Sequence, residues 1–146
     1  MRLILWCLIM MTSLWNTGCS SDSYEDQIKE IQDYLDSKGL KADKILSQSV
    51  YVVIDQPGGE VKPSLSSTVK VNYRGYYTDG TEFDANQGVS FPLNAVIKGW
   101  QIGIPQFGKG GKGVILMTSD SGYGANPPFG IRKNAVLVFD VEVLDF

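Results

Sequence analysis

The chain has 146 residues, with 13 Lys and Arg against 16 Asp and Glu, a formal net charge of −3, and no histidine. Without histidine, Ser-His and Cys-His nucleophilic catalysis is excluded, and with only two cysteines the usual zinc sites are excluded as well. We expect neither a metal nor a cofactor. An acidic chain without basic clusters is a poor nucleic-acid binder, and nucleic acid is not an expected partner. The length suits one domain with a single hydrophobic core.

The N-terminus has the pattern of an export signal. One arginine precedes an apolar run at residues 3–14, which is too short to span a bilayer. Gly18-Cys19 follows the run and resembles the cleavage site of bacterial lipoproteins, although Asn16 stands where that signal usually has leucine. We therefore predict a lipoprotein signal peptide at residues 1–18 and lipid attachment at Cys19.

This interpretation places the protein in the bacterial cell envelope, attached to a membrane through an N-terminal lipid. Because Ser20 rather than aspartate follows Cys19, resemblance to enteric sorting rules favours the outer membrane, facing the periplasm. The alternatives are an ordinary signal peptide that is cut elsewhere and an uncleaved anchor. Since the only other cysteine of the sequence, Cys7, lies inside the signal, the mature lipidated chain would have no thiol and no disulfide.

A helical pattern runs from residue 24 to about residue 37. Three apolar residues recur at helical spacing on one face: Ile28, Ile31 and Leu35. A lysine followed by Gly39 is typical of a helix end. We interpret residues 19–46 as a tether with an amphipathic helix that acts as a solvated spacer. The alternative is that the apolar face docks on the domain or on a second copy of the chain.

Strand patterns follow the helix. The predicted strands are residues 50–54, 68–77, 81–84, 114–119 and 135–144. The second alternates most clearly, with Val69 and Val71 on one face and Lys70 and Asn72 on the other. Asp79-Gly80 indicates a hairpin between the second and third strands.

One short helix is expected among these strands. Residues 91–93 read as a short extended piece, and Asn94 is predicted to cap the helix that carries Ile97 and Trp100. Pro105 should limit its length. The pattern predicts an α+β domain over residues 47–146, in which a curved antiparallel half-barrel sheet wraps around one short α-helix.

Five short motifs succeed one another along this domain: Val71-Asn72-Tyr73-Arg74-Gly75, Asp79-Gly80-Thr81-Glu82-Phe83-Asp84, Val96-Ile97-Lys98-Gly99-Trp100, Gly122-Tyr123-Gly124 and Asn134 to Glu142. In this order they resemble the FK506-binding-protein (FKBP) family of peptidyl-prolyl isomerases, over about residues 50–144. The resemblance implies an FKBP-like fold with an extra N-terminal helix. It also implies catalysis of cis-trans isomerisation at prolyl peptide bonds. The helix and lipid signal lie outside it and are similar to secreted bacterial members.

The resemblance further implies an aromatic cleft for proline. Its catalytic residues would be Tyr73, Asp84, Ile97, Trp100, Tyr123 and Phe139, and its substrate-binding walls Phe83, Phe91 and Val96. Trp100 would form the floor under the proline ring. The Ile97 backbone N–H and the Tyr123 hydroxyl would hold peptide carbonyls, and Asp84 would lie at the rim near the twisted amide.

The expected partners are proline-containing exported polypeptides, whose folding the enzyme would assist, and FK506-like macrolides. The alternative function is a catalytically weak proline-binding or chaperone module of an envelope complex. Departures from the family pattern at the cleft lip, such as Ser121-Gly122 before Tyr123, keep this alternative open.

Overall fold

The computed structural model describes residues 23–146, which form a six-stranded antiparallel sheet with two α-helices. The helices are α1 (Tyr24–Lys38) and α2 (Lys98–Gly103). The strands are β1 (Lys44–Leu46), β2 (Val50–Gln56), β3 (Thr68–Tyr76), β4 (Glu82–Pro92), β5 (Lys112–Met117) and β6 (Leu137–Asp145). Their order in the sheet is β1-β2-β5-β6-β3-β4, with every pair antiparallel. The predicted fold class is confirmed.

The inner face of the sheet packs against α2. Because side chains alternate across a strand, Val50 and Val52 of β2 point to this face, as do Ile115 and Met117 of β5. They form one hydrophobic core with Trp100 and with residues of the neighbouring strands. Helix α2 is short, as predicted, because Pro105 follows in a 3₁₀ turn at Ile104–Gln106.

The outer face of the sheet carries a second core, which α1 covers. Ile31, Tyr34 and Leu35 of α1 are buried with the alternate residues of the strands, such as Tyr51 and Leu116. The spacer interpretation of α1 is therefore wrong, and its alternative, docking on the domain, is what the structure shows. Burial of this apolar face offsets the loss of chain entropy on helix formation. A solvated helix of this length has no such compensation and is only marginally stable.

Hydrogen bonds fix α1 at both ends. The Ser23 hydroxyl accepts from the Asp26 N–H as an N-cap, and Gly39 ends the helix with a positive φ of 64°. Between them, Glu30 accepts a hydrogen bond from the Thr78 hydroxyl on the β3–β4 hairpin. The two caps define where the helix begins and ends, and the bond from Thr78 ties it to the β3–β4 hairpin.

Three local predictions need correction. Strand β4 has 11 residues, whereas the sequence pattern predicted a short strand at residues 81–84 and a separate extended piece at residues 91–93. Asn94 does not cap α2, since it lies in a 3₁₀ turn at Leu93–Ala95 and the N-cap of α2 is Ile97. The sequence pattern also missed β1, which has only three residues.

The predicted signal peptide and Cys19 lie outside the described residues. Within residues 23–146, no helix is both long enough and apolar enough to cross a bilayer. The boundaries proposed for the signal, the tether and the domain stay predictions.

Candidate active site

A cleft of about 290 Å³ opens on the inner face of the sheet, beside the start of α2. Nine residues line it: Tyr73, Asp84, Phe91, Ala95, Val96, Ile97, Trp100, Tyr123 and Phe139. A groove of about 400 Å³ lies between α1 and Thr78, but charged side chains dominate its lining. The aromatic cleft is therefore the better site for an apolar ligand.

Trp100 lies at the bottom of the cleft and is only 4% exposed. Its ring meets Tyr73 at 5.1 Å and Phe139 at 5.3 Å between centroids, both edge to face, and Phe91 at 5.9 Å. Such pairs hold an indole in one orientation. The indole N–H is buried and has no hydrogen-bond partner among residues 23–146. The ring therefore contributes an apolar face rather than a hydrogen bond.

Gly99 allows α2 to approach the sheet closely. A Cβ atom at this position would come within 2.3 Å of the Met117 Sδ atom on β5, closer than real contacts allow. Glycine is thus the residue that lets the backbone carrying Trp100 rest directly on the inner face.

Tyr73 and Asp84 stand on neighbouring strands, β3 and β4, and their side chains meet at the rim. The Tyr73 hydroxyl donates to the Asp84 Oδ2 atom at 2.6 Å. Burial, and then this hydrogen bond, raise the pKa of Tyr73 well above its ordinary value near 10. The phenol therefore stays neutral at physiological pH and keeps the carboxylate oriented at the edge of the cleft.

The segment before α2 presents backbone groups to the cleft. Ile97 is extended, with φ −59° and ψ 149°, and its carbonyl accepts from the Trp100 N–H at 3.0 Å. Among the described residues, no group accepts from the Ile97 N–H. The Gln101 side chain braces the segment by donating to the Val96 carbonyl at 2.8 Å. A free donor on a braced backbone is suited to hold a ligand carbonyl.

Tyr123 approaches from the opposite lip, on the loop that follows a 3₁₀ turn at Ser119–Ser121. Its side chain is half-buried, and burial raises the pKa of its hydroxyl, with a further contribution from the charge of Asp84. The hydroxyl therefore stays protonated at neutral pH and can donate to a ligand.

Eight of the nine predicted site residues line the cleft, and Phe83 does not. Phe83 lies behind the wall, with its ring 5.5 Å from Phe139 and 4.9 Å from Tyr77. It supports Phe139 by an edge-to-face contact instead of touching the cavity. The structure adds Ala95, which sequence reasoning missed because an exposed alanine in a short turn carries no distinguishing signal.

The chemistry available in this cleft is limited. Its lining has one carboxylate and two neutral phenols among apolar groups. The one hydroxyl–carboxylate pair, Tyr73 with Asp84, contains a phenol whose pKa is raised, and this disfavours the phenolate that would act as a nucleophile. Such a site is suited to bind, desolvate and orient a ligand.

Comparison with known proteins identifies the family. The family model for FKBP-type peptidyl-prolyl cis-trans isomerases matches residues 59–144. The chain belongs to this family. The match includes every residue that lines the cleft, whereas α1, β1 and β2 lie outside it.

Individual relatives agree with this assignment. The FKBP-type isomerase FkpA of Aeromonas hydrophila is 34% identical over 139 residues, which are 92% of this chain and 52% of the relative. The crystal structure of FkpA from Escherichia coli superposes with a TM-score of 0.74 at 34% identity, covering 86% of this chain and 61% of that one. A peptidyl-prolyl isomerase structure from Pseudomonas syringae gives 0.70 at 28% identity, covering 86% and 96%. This FKBP chain thus spans about half the length of the curated FkpA relative that it matches.

Proposed function

We propose that this chain is a peptidyl-prolyl cis-trans isomerase that assists the folding of exported proteins in a bacterial envelope. The observation that carries the proposal is the Trp100-floored cleft, which joins an apolar surface to oriented donors without acid–base machinery. The bacterial relatives support the assignment. Uncatalysed prolyl isomerisation takes tens to hundreds of seconds, slow enough to limit folding.

The cleft would act by binding the twisted amide better than the planar one. The barrier of about 18–20 kcal/mol arises from resonance, which makes the planar amide strongly dipolar. An aromatic environment stabilises the less dipolar twisted state relative to the planar one. The Ile97 N–H and the Tyr123 hydroxyl would hold the flanking carbonyls while the bond turns. A thousandfold acceleration requires only about 4 kcal/mol of such differential binding.

The test is an exchange measurement on an alanyl-leucyl-prolyl peptide with the purified chain. We expect faster cis-trans exchange at catalytic concentrations, and inhibition by an FK506-like macrolide that competes for the same surface. Binding of the peptide without faster exchange would instead support the catalytically weak proline-binding module. Absence of both binding and exchange would reject the cleft as a prolyl site.

We further propose that the protein is a lipoprotein anchored through Cys19. Cys19 precedes Tyr24 by five residues. Because an extended chain spans at most about 3.6 Å per residue, the lipid would lie within about 18 Å of the start of α1. With α1 docked on the outer face, the sheet itself would be held close to the membrane and the cleft would open on the opposite side of the sheet.

The anchor is tested by the Cys19→Ser substitution in cells fed a labelled fatty acid. We expect the wild-type chain to take up the label and the variant to lose it. Fractionation of the wild-type chain would then assign the inner or the outer membrane. Equal labelling of the two chains would reject lipidation at this residue.

A further inference from the structure

Gln27 is a buried polar residue on the face of α1 that meets the domain. Its side chain is 3% exposed, and its Oε1 atom accepts a hydrogen bond from the Ser119 backbone N–H at 2.7 Å. Burying an amide side chain is unfavourable unless it is hydrogen-bonded, so the residue forms a specific link between the two segments. Gln27 lies outside residues 59–144, the part of the chain that the family model matches.

Ser119 connects this link to the cleft. The Ser119 carbonyl accepts from the Gly122 N–H at 3.0 Å and from the Gly124 N–H at 2.8 Å. These two glycines flank Tyr123, whose side chain lines the cleft. The helix therefore reaches Tyr123 through one serine that is hydrogen-bonded on both its N–H and its C=O.

A second contact holds the same turn from another direction. The buried Ser49 and Ser121 hydroxyl groups lie 2.8 Å apart, and the Thr118 N–H donates to the Ser49 carbonyl at 3.0 Å. The turn therefore has a second anchor, at the residue that precedes β2, and this anchor does not involve α1. Removal of the Gln27 contact should loosen the turn locally without unfolding it.

We propose that Gln27 is a positioning residue for Tyr123, so that α1 sets the geometry of one cleft lip. The kinetic part rests on the proposed isomerase function, in which the Tyr123 hydroxyl holds a peptide carbonyl. Without the glutamine oxygen, the buried Ser119 N–H has no acceptor. The turn then relaxes, and Tyr123 no longer occupies one position relative to Trp100.

Three variants of the full chain in detergent separate positioning from stability. Gln27→Met keeps the length of the side chain and removes the acceptor, whereas Gln27→Glu keeps an oxygen for the Ser119 N–H. Ile31→Val is the matched control, since Ile31 is fully buried on the same helix and belongs to the outer-face core. It should lower stability without touching the turn.

Hydrogen exchange measured by mass spectrometry tests the link independently of turnover. We expect faster exchange in peptides covering residues 119–124 of Gln27→Met, by about two- to tenfold, the range set by one net hydrogen bond. Gln27→Glu should restore protection, and Ile31→Val should leave these peptides at the wild-type rate. Unchanged exchange in Gln27→Met would overturn the positioning role, even if the protein proved inactive as an isomerase.

The kinetic test uses a double-mutant cycle with Tyr123→Phe. Gln27→Met alone should lower kcat/KM by about two- to tenfold, and it should add nothing further once the Tyr123 hydroxyl is gone. A full additional loss in the Tyr123→Phe background would show that Gln27 acts elsewhere and would overturn the proposal. An inactive wild-type chain would reject the isomerase function and leave the exchange result to decide the structural link.

Discussion

Replacement of Trp100 tests both its role as the floor of the cleft and the energetic cost of its unpaired indole N–H. Trp100 is 4% exposed and packs edge to face on Tyr73 and Phe139, while its N–H has no partner within the described residues. Trp100→Ala removes the whole surface. Trp100→Phe keeps one aromatic ring and removes the unpaired donor, so the pair separates the two contributions.

The expected magnitudes differ clearly between the variants. Trp→Ala in a core costs about 3–5 kcal/mol in the free energy of unfolding. At roughly 4 °C per kcal/mol for a domain of this size, Tm should fall by about 12–20 °C. Trp100→Phe leaves a smaller gap and relieves the burial of an unpaired N–H, which itself costs about 1–3 kcal/mol. We therefore expect Trp100→Phe to lose less than about 2 kcal/mol.

Stability is measured by urea unfolding followed by far-UV circular dichroism, and activity by prolyl-peptide exchange under conditions where each variant is folded. Both variants should lose turnover and macrolide affinity together, Trp100→Ala more than Trp100→Phe, because one surface would serve both ligands. A folded Trp100→Ala protein with wild-type turnover would place the floor elsewhere. If Trp100→Phe destabilised as much as Trp100→Ala, the unpaired indole N–H would not be a cost.

Three further predictions follow from other parts of the structure. In urea unfolding, Ile31→Ala should lower the free energy of unfolding by about 2–5 kcal/mol. The control Lys29→Ala, at an exposed position of the same helix, should change it by less than about 0.5 kcal/mol. If both variants had equally small effects, the spacer interpretation of α1 would be restored. kcat/KM on a non-ionising peptide should be flat between about pH 6 and 8, because the chain has no histidine and the pKa of Tyr73 is raised; a bell-shaped profile, or a solvent isotope effect of about twofold, would contradict catalysis by amide twisting. The Thr81 N–H, and then the Arg132 side chain, lower the pKa of Asp79 from its ordinary 3.8 to about 2. The stabilising contribution of Asp79 is therefore present above the ordinary pKa and is lost as the pH falls towards 2. Asp79→Asn should remove that part of the acid dependence of Tm, and an unchanged dependence would contradict the assignment.

The sequence alone was enough to predict most elements around the inner face of the sheet. Three features of this region depend on local backbone geometry and can be inferred without tertiary contacts. They are the alternation of β3, the turn at Asp79-Gly80 and the end of α2 near Pro105. The aromatic residues of the cleft could also be identified, because the motifs that contain them follow one another in the order found in the FKBP family. Strand β4 was underestimated because it is a polar edge strand, paired through its backbone to β3 on one side only.

Tertiary structure decided what covers the outer face and which side chains reach the cavity. The apolar stripe of α1 is compatible with docking on the domain, docking on a second copy or a marginal exposed helix. A stripe shows that a face is apolar and does not name the surface that buries it. The apolar runs of β2 and β5 contain residues for both faces, and only the folded sheet shows α1 on the outer one.

The same limit separates Phe83 from Ala95. Phe83 belongs to a motif of the cleft but does not line it; its ring packs edge to face on Phe139, which does. Ala95 has no chemical signature and reaches the cleft through the path of the backbone between Leu93 and α2. Local sequence determines which residue types and which strand faces are available for a site. The distances between side chains that are far apart in the chain, such as Gln27 and Ser119, arise only when the elements pack together.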